Sequence, residues 1–261
     1  MTYTFITGAT GGLGKAYCCI CAARGENLFL TARDGGKLQS LARELRENYA
    51  VDVQYFPCLL HDDFSRALLF DYVRQNGFVV SRLINVAGAD VQKAFSEYTQ
   101  EKVIFQIRVN FEAAVVLTRF VLDMRAPHLA ILTVSSVSGI YPMPYFALYS
   151  ATKRALVQFF SALRVELKGK NVNVTTILPG AMPTRKDVCE QIKGQGLWGK
   201  IAAKSPSFVA ENSLRALQKN KRVYIPGVAN KLMTIVTKPI PLSWKMNFIA
   251  KRWSKISKDA F

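Results

Sequence analysis

Two side chains four positions apart, Tyr149 and Lys153 in Tyr149-Ser150-Ala151-Thr152-Lys153, have the types and spacing that suit proton transfer. At that spacing they share one helix face, so a phenol and an ammonium become neighbours. A free tyrosine loses its proton near pH 10 and is too weak an acid to donate it rapidly at neutral pH. An adjacent cation favours the phenolate and brings that value down. Thirteen residues before Tyr149, a strand ending Leu132-Thr133-Val134 runs into Ser135-Ser136-Val137-Ser138-Gly139. A serine there can hydrogen-bond a carbonyl and hold it for attack; the spacing favours Ser136, and Ser138 is a candidate substrate contact. Asn110 is a polar break in a long apolar helical stretch and suits a water that returns protons to Lys153. Singly each has a plainer explanation, since Tyr-x-x-x-Lys occurs on many amphipathic helices and serines often cap turns. Their joint occurrence in this order carries the reading.

A proton donor of this kind needs a redox partner, and the start of the chain provides a place for one. After the first apolar run comes Thr7-Gly8-Ala9-Thr10-Gly11-Gly12-Leu13-Gly14, followed at once by a helical pattern. Glycines at 8, 12 and 14 permit a tight turn, close approach of backbone to a pyrophosphate and tight helix-on-strand packing, with the helix N-terminus facing the anion. The strand-before, helix-after context is what separates such a motif from a merely structural turn. The second strand ends Leu30-Thr31-Ala32-Arg33, where an NAD-preferring site usually carries an acid for the ribose hydroxyls. Arg33 can instead meet a 2′-phosphate, with Lys15 as a possible assisting charge, so NADP(H) is expected over NAD(H).

The elements that must position these groups are legible as an alternation. Tyr3–Thr7, Asn27–Thr31, Val53–Pro57, Arg82–Asn85, Leu129–Val134, Val172–Leu178 and Arg222–Ile225 read as strands, mostly apolar throughout, as in a parallel sheet covered on both faces. Helical patterns fall at 12–24, 36–49, 63–76, 99–124, 146–168 and 206–219. The expected fold is α/β: a single-domain, Rossmann-type doubly wound parallel sheet of about seven strands with helices on both faces. The catalytic domain is expected over 1–226, and 227–261, where the alternation stops, as a basic amphipathic extension.

Composition narrows the class. At 261 residues with 50% hydrophobic content, the chain suits one large α/β domain. Met1-Thr2-Tyr3-Thr4-Phe5-Ile6-Thr7 reads as a strand and not a signal peptide, and no run approaches the roughly 20 apolar residues of a membrane span. A cytoplasmic location is expected, with possible peripheral contact at the inner membrane face. Five cysteines, Cys18, Cys19, Cys21, Cys58 and Cys189, fit a reducing compartment; Cys18-x-x-Cys21 lies within an apolar helical stretch, where packing outweighs a redox role. Only two histidines, His61 and His128, are present, and no metal site is expected. The net charge of +17 attracts anionic lipid, nucleic acid or an anionic ligand; no nucleic-acid reading element accompanies it.

With these motifs in order, the chain resembles the short-chain dehydrogenase/reductase family over roughly its first 225 residues. Within that family it is similar to the branch of 17β-hydroxysteroid dehydrogenases and 3-oxoacyl reductases. The resemblance implies Asn110, Ser136, Tyr149 and Lys153 as a catalytic tetrad. It implies Thr7, Gly8, Thr10, Gly11, Gly12, Leu13 and Gly14 as the cofactor turn, and Pro179, Gly180, Met182 and Thr184, from the segment Pro179-Gly180-Ala181-Met182-Pro183-Thr184, beside the nicotinamide; Tyr149 and Lys153 also contact the cofactor. The family's Asn-Asn-Ala-Gly appears as Asn85-Val86-Ala87-Gly88, so Asn85, Ala87 and Gly88 are cofactor candidates, and the second Asn, thought to brace the sheet, is lost. The acid expected near the adenine after the third strand is Leu59 or is displaced to Asp62.

A lid is expected over 184–207, containing Trp198, and Met143 and Tyr145 precede the catalytic tyrosine as further candidate substrate contacts. Leu242, Met246, Ile249, Trp253 and Ile256 form one apolar stripe opposite several lysines. That helix could lie in a membrane interface, or pack on the body or on a second subunit. The expected function is an NADP(H)-dependent oxidoreductase acting on a ketone or secondary alcohol of a hydrophobic small molecule, a steroid first and a 3-oxoacyl thioester as the alternative. It is expected to act as a homodimer or homotetramer that binds no nucleic acid. A non-catalytic cofactor-binding protein on the same fold is the alternative of another class.

Overall fold

The computed structural model describes residues 1–183 and 201–254. Seven parallel strands form one sheet in the order β3-β2-β1-β4-β5-β6-β7: β1 (Thr2–Thr7), β2 (Leu28–Ala32), β3 (Val53–Pro57), β4 (Val79–Asn85), β5 (Arg125–Val134), β6 (Val172–Ile177) and β7 (Val223–Tyr224). Parallel neighbours require crossovers, supplied by α1 (Gly12–Ala23), α2 (Gly35–Asn48), α3 (Asp63–Gln75), α4 (Gln100–Ile107), α5 (Ala113–Asp123), α6 (Ala147–Glu166) and α7 (Pro206–Gln218). Two more helices follow, α8 (Val228–Val236) and α9 (Leu242–Trp253).

The sheet is covered on both faces by two apolar layers. One gathers Ile6, Leu30, Ile84 and Leu132 with α1, α2 and α7; the other gathers Phe5, Phe29, Leu83 and Ile131 with α3, α5 and α6. Alternate residues of the same strands serve the two layers, which is why the strands read as unbroken apolar runs. Cys18 and Cys21 belong to the first layer as free thiols; burial raises the Cys18 thiol well above its ordinary value and pushes Cys21 up to about 12. They pack within the apolar layer, where burial disfavours the thiolate that redox chemistry needs.

The strand order reverses direction between β1 and β4, and the site lies at that switch point. There the Thr7 hydroxyl accepts hydrogen bonds from the backbone N–H groups of Val86 (3.0 Å) and Ala87 (3.1 Å), locking the two strand ends together. Gly8 sits at φ +63° with Ala87 backbone 3.0 Å from where a Cβ would be, so a side chain is excluded twice over. A Cβ on Gly14 would fall 2.1 Å from the Gly8 carbonyl oxygen. This contact brings α1 down onto the turn.

The long helical stretch at 99–124 departs from expectation. It is divided into α4 and α5 by a π-helical turn over Arg108–Glu112. The C-terminal stripe is also corrected. Met246, Ile249 and Trp253 are half-buried, whereas Leu242 is exposed, and Ile256 lies outside the described residues. The half-buried part packs on the body: Trp253 stacks on Phe146 with ring centroids 5.8 Å apart.

The Gly14–Gly8 contact leaves no room for one methyl group. Gly14→Ala is expected to destabilise the fold by about 1–3 kcal/mol. Gly11→Ala, whose Cβ meets its neighbour at 3.4 Å, is expected to cost less. Urea unfolding of the two variants checks the difference.

Candidate active site

The turn after β1, the end of β4, the loop after β5 and the start of α6 face a common cleft of about 460 Å³. Gly8, Thr10, Gly11, Gly12, Leu13 and Gly14 line it at one wall, and Ser136, Tyr149 and Lys153 line it further along with Pro179, Gly180 and Met182. Gly12, Leu13 and Gly14 open α1, so their N–H groups have no acceptor within the helix, and no acidic residue occupies its first turn. That is an anion site of the kind a pyrophosphate fills.

Lys153 is buried, and its ammonium lies 5.6 Å from the centre of the Tyr149 ring while donating to the Val134 carbonyl at 3.0 Å. Burial depresses its pKa to about 8, opposed by the Asp90 carboxylate. A Cβ on Gly88 would sit 3.1 Å from this ammonium and 3.2 Å from the Asn110 amide oxygen, so the absence of a side chain at 88 lets the three groups converge. Helix α6 is held to β5 by the Ser135 hydroxyl, which donates to the Lys153 carbonyl at 2.7 Å.

Asn110 occupies the π-turn, and its side chain clamps Ala89: Oδ1 accepts from the Ala89 N–H at 2.6 Å, and Nδ2 donates to the Ala89 carbonyl and to Thr152 Oγ1. Both amide donors are therefore committed to protein, leaving only a lone pair of Oδ1 for water. Ser136 Oγ accepts from the Ser138 N–H at 3.1 Å, so Ser138 bears on the cleft through its backbone on Ser136 and does not line it.

Several expected residues are placed elsewhere. Thr7 and Asn85 do not line the cleft. Thr7 holds the β4 end as described, and Asn85 is buried, donating to Thr118 and Thr133 across β4, α5 and β5. The sheet bracing expected of the missing second Asn is thus carried in part by Asn85 itself. Val86, Ala87 and Gly88 face the cleft directly. Neither Leu59 nor Asp62 reaches it: Leu59 is exposed, and Asp62 caps α3 by accepting from the Ser65 N–H. Leu60 and His61 take that wall. Met143 lines a separate apolar cavity of about 510 Å³ beside α6, whereas Tyr145, at φ +62°, lines neither space. Thr184 and Trp198 lie outside the described residues.

The sequence reading missed Lys37, His61, Asp90 and Phe105, all of which line the cleft. Lys37 alone carried a signal: Asp34 caps α2 by accepting from the Lys37 N–H, which fixes Lys37 one turn from Arg33. Burial lowers the pKa of His61, and the guanidinium groups of Arg33, Arg108 and Arg66 push the same way against Asp62. Arg33, Asp34 and Lys37 line the same end of the cleft, the Lys37 ammonium lying 3.4 Å from the Asp34 carboxylate. A second unforeseen feature is the ring stacking at the phenol: Phe146 lies 4.3 Å from Tyr149, nearly parallel, and Trp253 of α9 stacks on Phe146 in turn.

Residues 2–191 match the family model for short chain dehydrogenase. The chain is 31% identical over 194 residues to a very-long-chain 3-oxoacyl-CoA reductase of Anas platyrhynchos, covering 70% of this chain and 60% of that protein. Over 247 residues it is 30% identical to dehydrogenase/reductase SDR family member 7B of Bos taurus, covering 88% and 76%. In three dimensions it superposes on a solved structure concerned with 7beta-hydroxysteroid dehydrogenase stereoselectivity, with a TM-score of 0.84 and 24% identity over 95% of this chain and 96% of that one. The chain belongs to the short-chain dehydrogenase family of oxidoreductases. Its match spans about 60% of the length of the 3-oxoacyl-CoA reductase.

Between pH about 8 and 10.5 the unfolded chain keeps the Lys153 proton that the folded chain has lost, so this group makes stability rise with pH across that window. Below it, the buried charge costs on the order of 3 kcal/mol. Lys153→Met is expected to be more stable than the parent protein near pH 7, with the advantage vanishing by pH 10.5; paired denaturation curves of the two proteins measure it.

Proposed function

We propose that this protein is an NADP(H)-dependent ketoreductase or secondary-alcohol dehydrogenase acting on a hydrophobic substrate. The observation that carries the proposal is the Tyr149 ring beside the buried Lys153 ammonium, in one cleft with Ser136 and the glycine turn. The residues fit a dinucleotide, because the turn is closed to any Cβ at 8 and 14 and opens helix N–H groups to the cleft. The reduced nicotinamide, when bound, supplies a hydride. Gly8 to Gly14 hold the pyrophosphate, and Pro179, Gly180 and Met182 form the wall beyond Tyr149. Ser136 Oγ donates to the substrate carbonyl, Tyr149 delivers its proton to the developing alkoxide oxygen, and the Lys153 charge stabilises the phenolate left behind. Asn110 fixes the Ala89 backbone next to Lys153 and offers its remaining lone pair to a water that returns the proton.

Arg33, which lines the cleft with no acid at its own position, favours a 2′-phosphate and hence NADP(H) over NAD(H), with Lys37, paired to Asp34 at 3.4 Å, beside it. For the substrate, the similarity to a very-long-chain 3-oxoacyl-CoA reductase favours a 3-oxoacyl thioester. The steroid expected from the sequence keeps the support of the hydroxysteroid dehydrogenase fold likeness. The apolar cavity lined by Ile140, Met143 and Met246 suits the hydrocarbon of either.

Tyr149→Phe is expected to abolish turnover of 3-oxoacyl thioesters and ketosteroids while NADPH still binds; near-normal turnover would remove the proton-donor role. Arg33→Ala is expected to weaken NADPH roughly tenfold to a hundredfold and to leave NADH nearly unchanged, as read by fluorescence titration. Equal losses for both cofactors would remove the 2′-phosphate assignment.

A further inference from the structure

Helices α8 and α9 each present one face to the body and an apolar one to solvent. On α8, Asn230 is buried and donates to the carbonyls of Ala202 and Pro226. The opposite side carries Val228, Leu232, Ile235 and Val236, all exposed, at the i, i+4, i+7, i+8 spacing of a single face. On α9, Met246 lines the apolar cavity and Trp253 stacks on Phe146, while Trp244 and Phe248 point outward, each 71% exposed. Ile240 and Leu242, in and just after the short connection, are exposed as well. The two helices are tied together by Lys245, whose ammonium donates to the Thr237 carbonyl and lies 4.1 Å from the Tyr141 ring centre. Solvent-facing apolar side chains in this density mark a docking surface.

Charge selects the occupant. The sequence holds no acidic residue between Glu211 and Asp259, and Lys231, Lys251 and Arg252 on these same helices are exposed, as is Lys238 in the connection between them. A second copy of the chain seated face to face would set these cations against their own counterparts. An anionic lipid surface meets them with opposite charge, and Trp and Phe beside lysines are the side chains that settle at the boundary of headgroups and acyl chains. No helix among the described residues is long and apolar enough to cross a membrane, so contact through this face would be along the surface.

We propose that the outer faces of α8 and α9 dock the protein on the interface of an anionic membrane. The geometry gives the docking a purpose. The inner faces of the same helices line the apolar cavity through Met246, back the Tyr149 ring through Trp253 and Phe146, and pin Ala202 through Asn230. A membrane held against the outer face therefore lies one helix thickness from the cavity assigned to a hydrophobic substrate. The docking itself does not rest on that assignment.

The test uses the full chain and vesicles of phosphatidylcholine with and without phosphatidylserine, read by co-sedimentation at low and high salt. Binding is expected only with phosphatidylserine present, weakened by salt. The pair Trp244→Ser with Phe248→Ser is expected to reduce binding at least tenfold while circular dichroism and NADPH affinity stay unchanged. Lys251→Glu with Arg252→Glu is expected to lose the salt-sensitive part. Failure of the parent protein to sediment with either vesicle would overturn the proposal. So would unchanged binding of both double variants, or a concentration-dependent dimer that the Trp244/Phe248 pair abolishes. Near-normal turnover of Tyr149→Phe, with vesicle binding of the parent protein intact, would count against the Tyr149 reading and leave the docking standing.

Discussion

One buried ammonium organises this molecule. Lys153 has been taken out of water into the junction of α6, β5 and the end of β4, and desolvation presses it towards neutrality. Groups that stabilise a charge there gain leverage, because little water competes with them. The Val134 carbonyl accepts a hydrogen bond from it, Asp90 opposes the desolvation, and the Tyr149 ring lies beside it. Much of the neighbouring structure serves to hold that junction closed. Gly88 leaves room for Lys153 and Asn110 to approach its backbone, Gly139 lets its turn touch the backbone at Lys153, and the Ser135 hydroxyl fastens the Lys153 carbonyl.

The same economy of space governs the cofactor end. Thr7 never faces the cleft, yet it fixes the β4 end on which Val86, Ala87 and Gly88 are carried. At position 14 the Gly8 carbonyl alone is enough to exclude any side chain. Arg66, buried and bonded to the Leu60 carbonyl, Asp63 and Glu112, joins the loop after β3 to the π-turn that bears Asn110. The loop after β3 and the π-turn are thereby parts of one polar network.

The alternating strands and helices were readable because burial on both sheet faces writes long apolar runs, and glycine spacing marks the turn that a helix must approach. Tyr149, Lys153 and Ser136 were readable because their chemistry depends on local spacing. What escaped depended on direction. Asn85 and Thr7 adjoin the motif but point into the sheet, and Leu59 and Asp62 stand beside residues that face the cleft without facing it themselves. Asp90 and Phe105 reach the cleft from segments without a motif. In α9, two faces are both apolar, and periodicity picked out the one that seats on the body. Trp244 and Phe248, on the other, became meaningful only when the exposure of each face was known.

The central claim is that the Lys153 charge makes Tyr149 a stronger acid than an ordinary tyrosine. Ultraviolet titration of the parent protein minus Tyr149→Phe isolates this phenol, and the same difference in a Lys153→Met background removes the cation. The account predicts a phenolate midpoint clearly below the ordinary value near 10 in the first case, rising to or above it in the second. A midpoint at or above 10 with Lys153 in place, or one that does not move when Lys153 is lost, would contradict it.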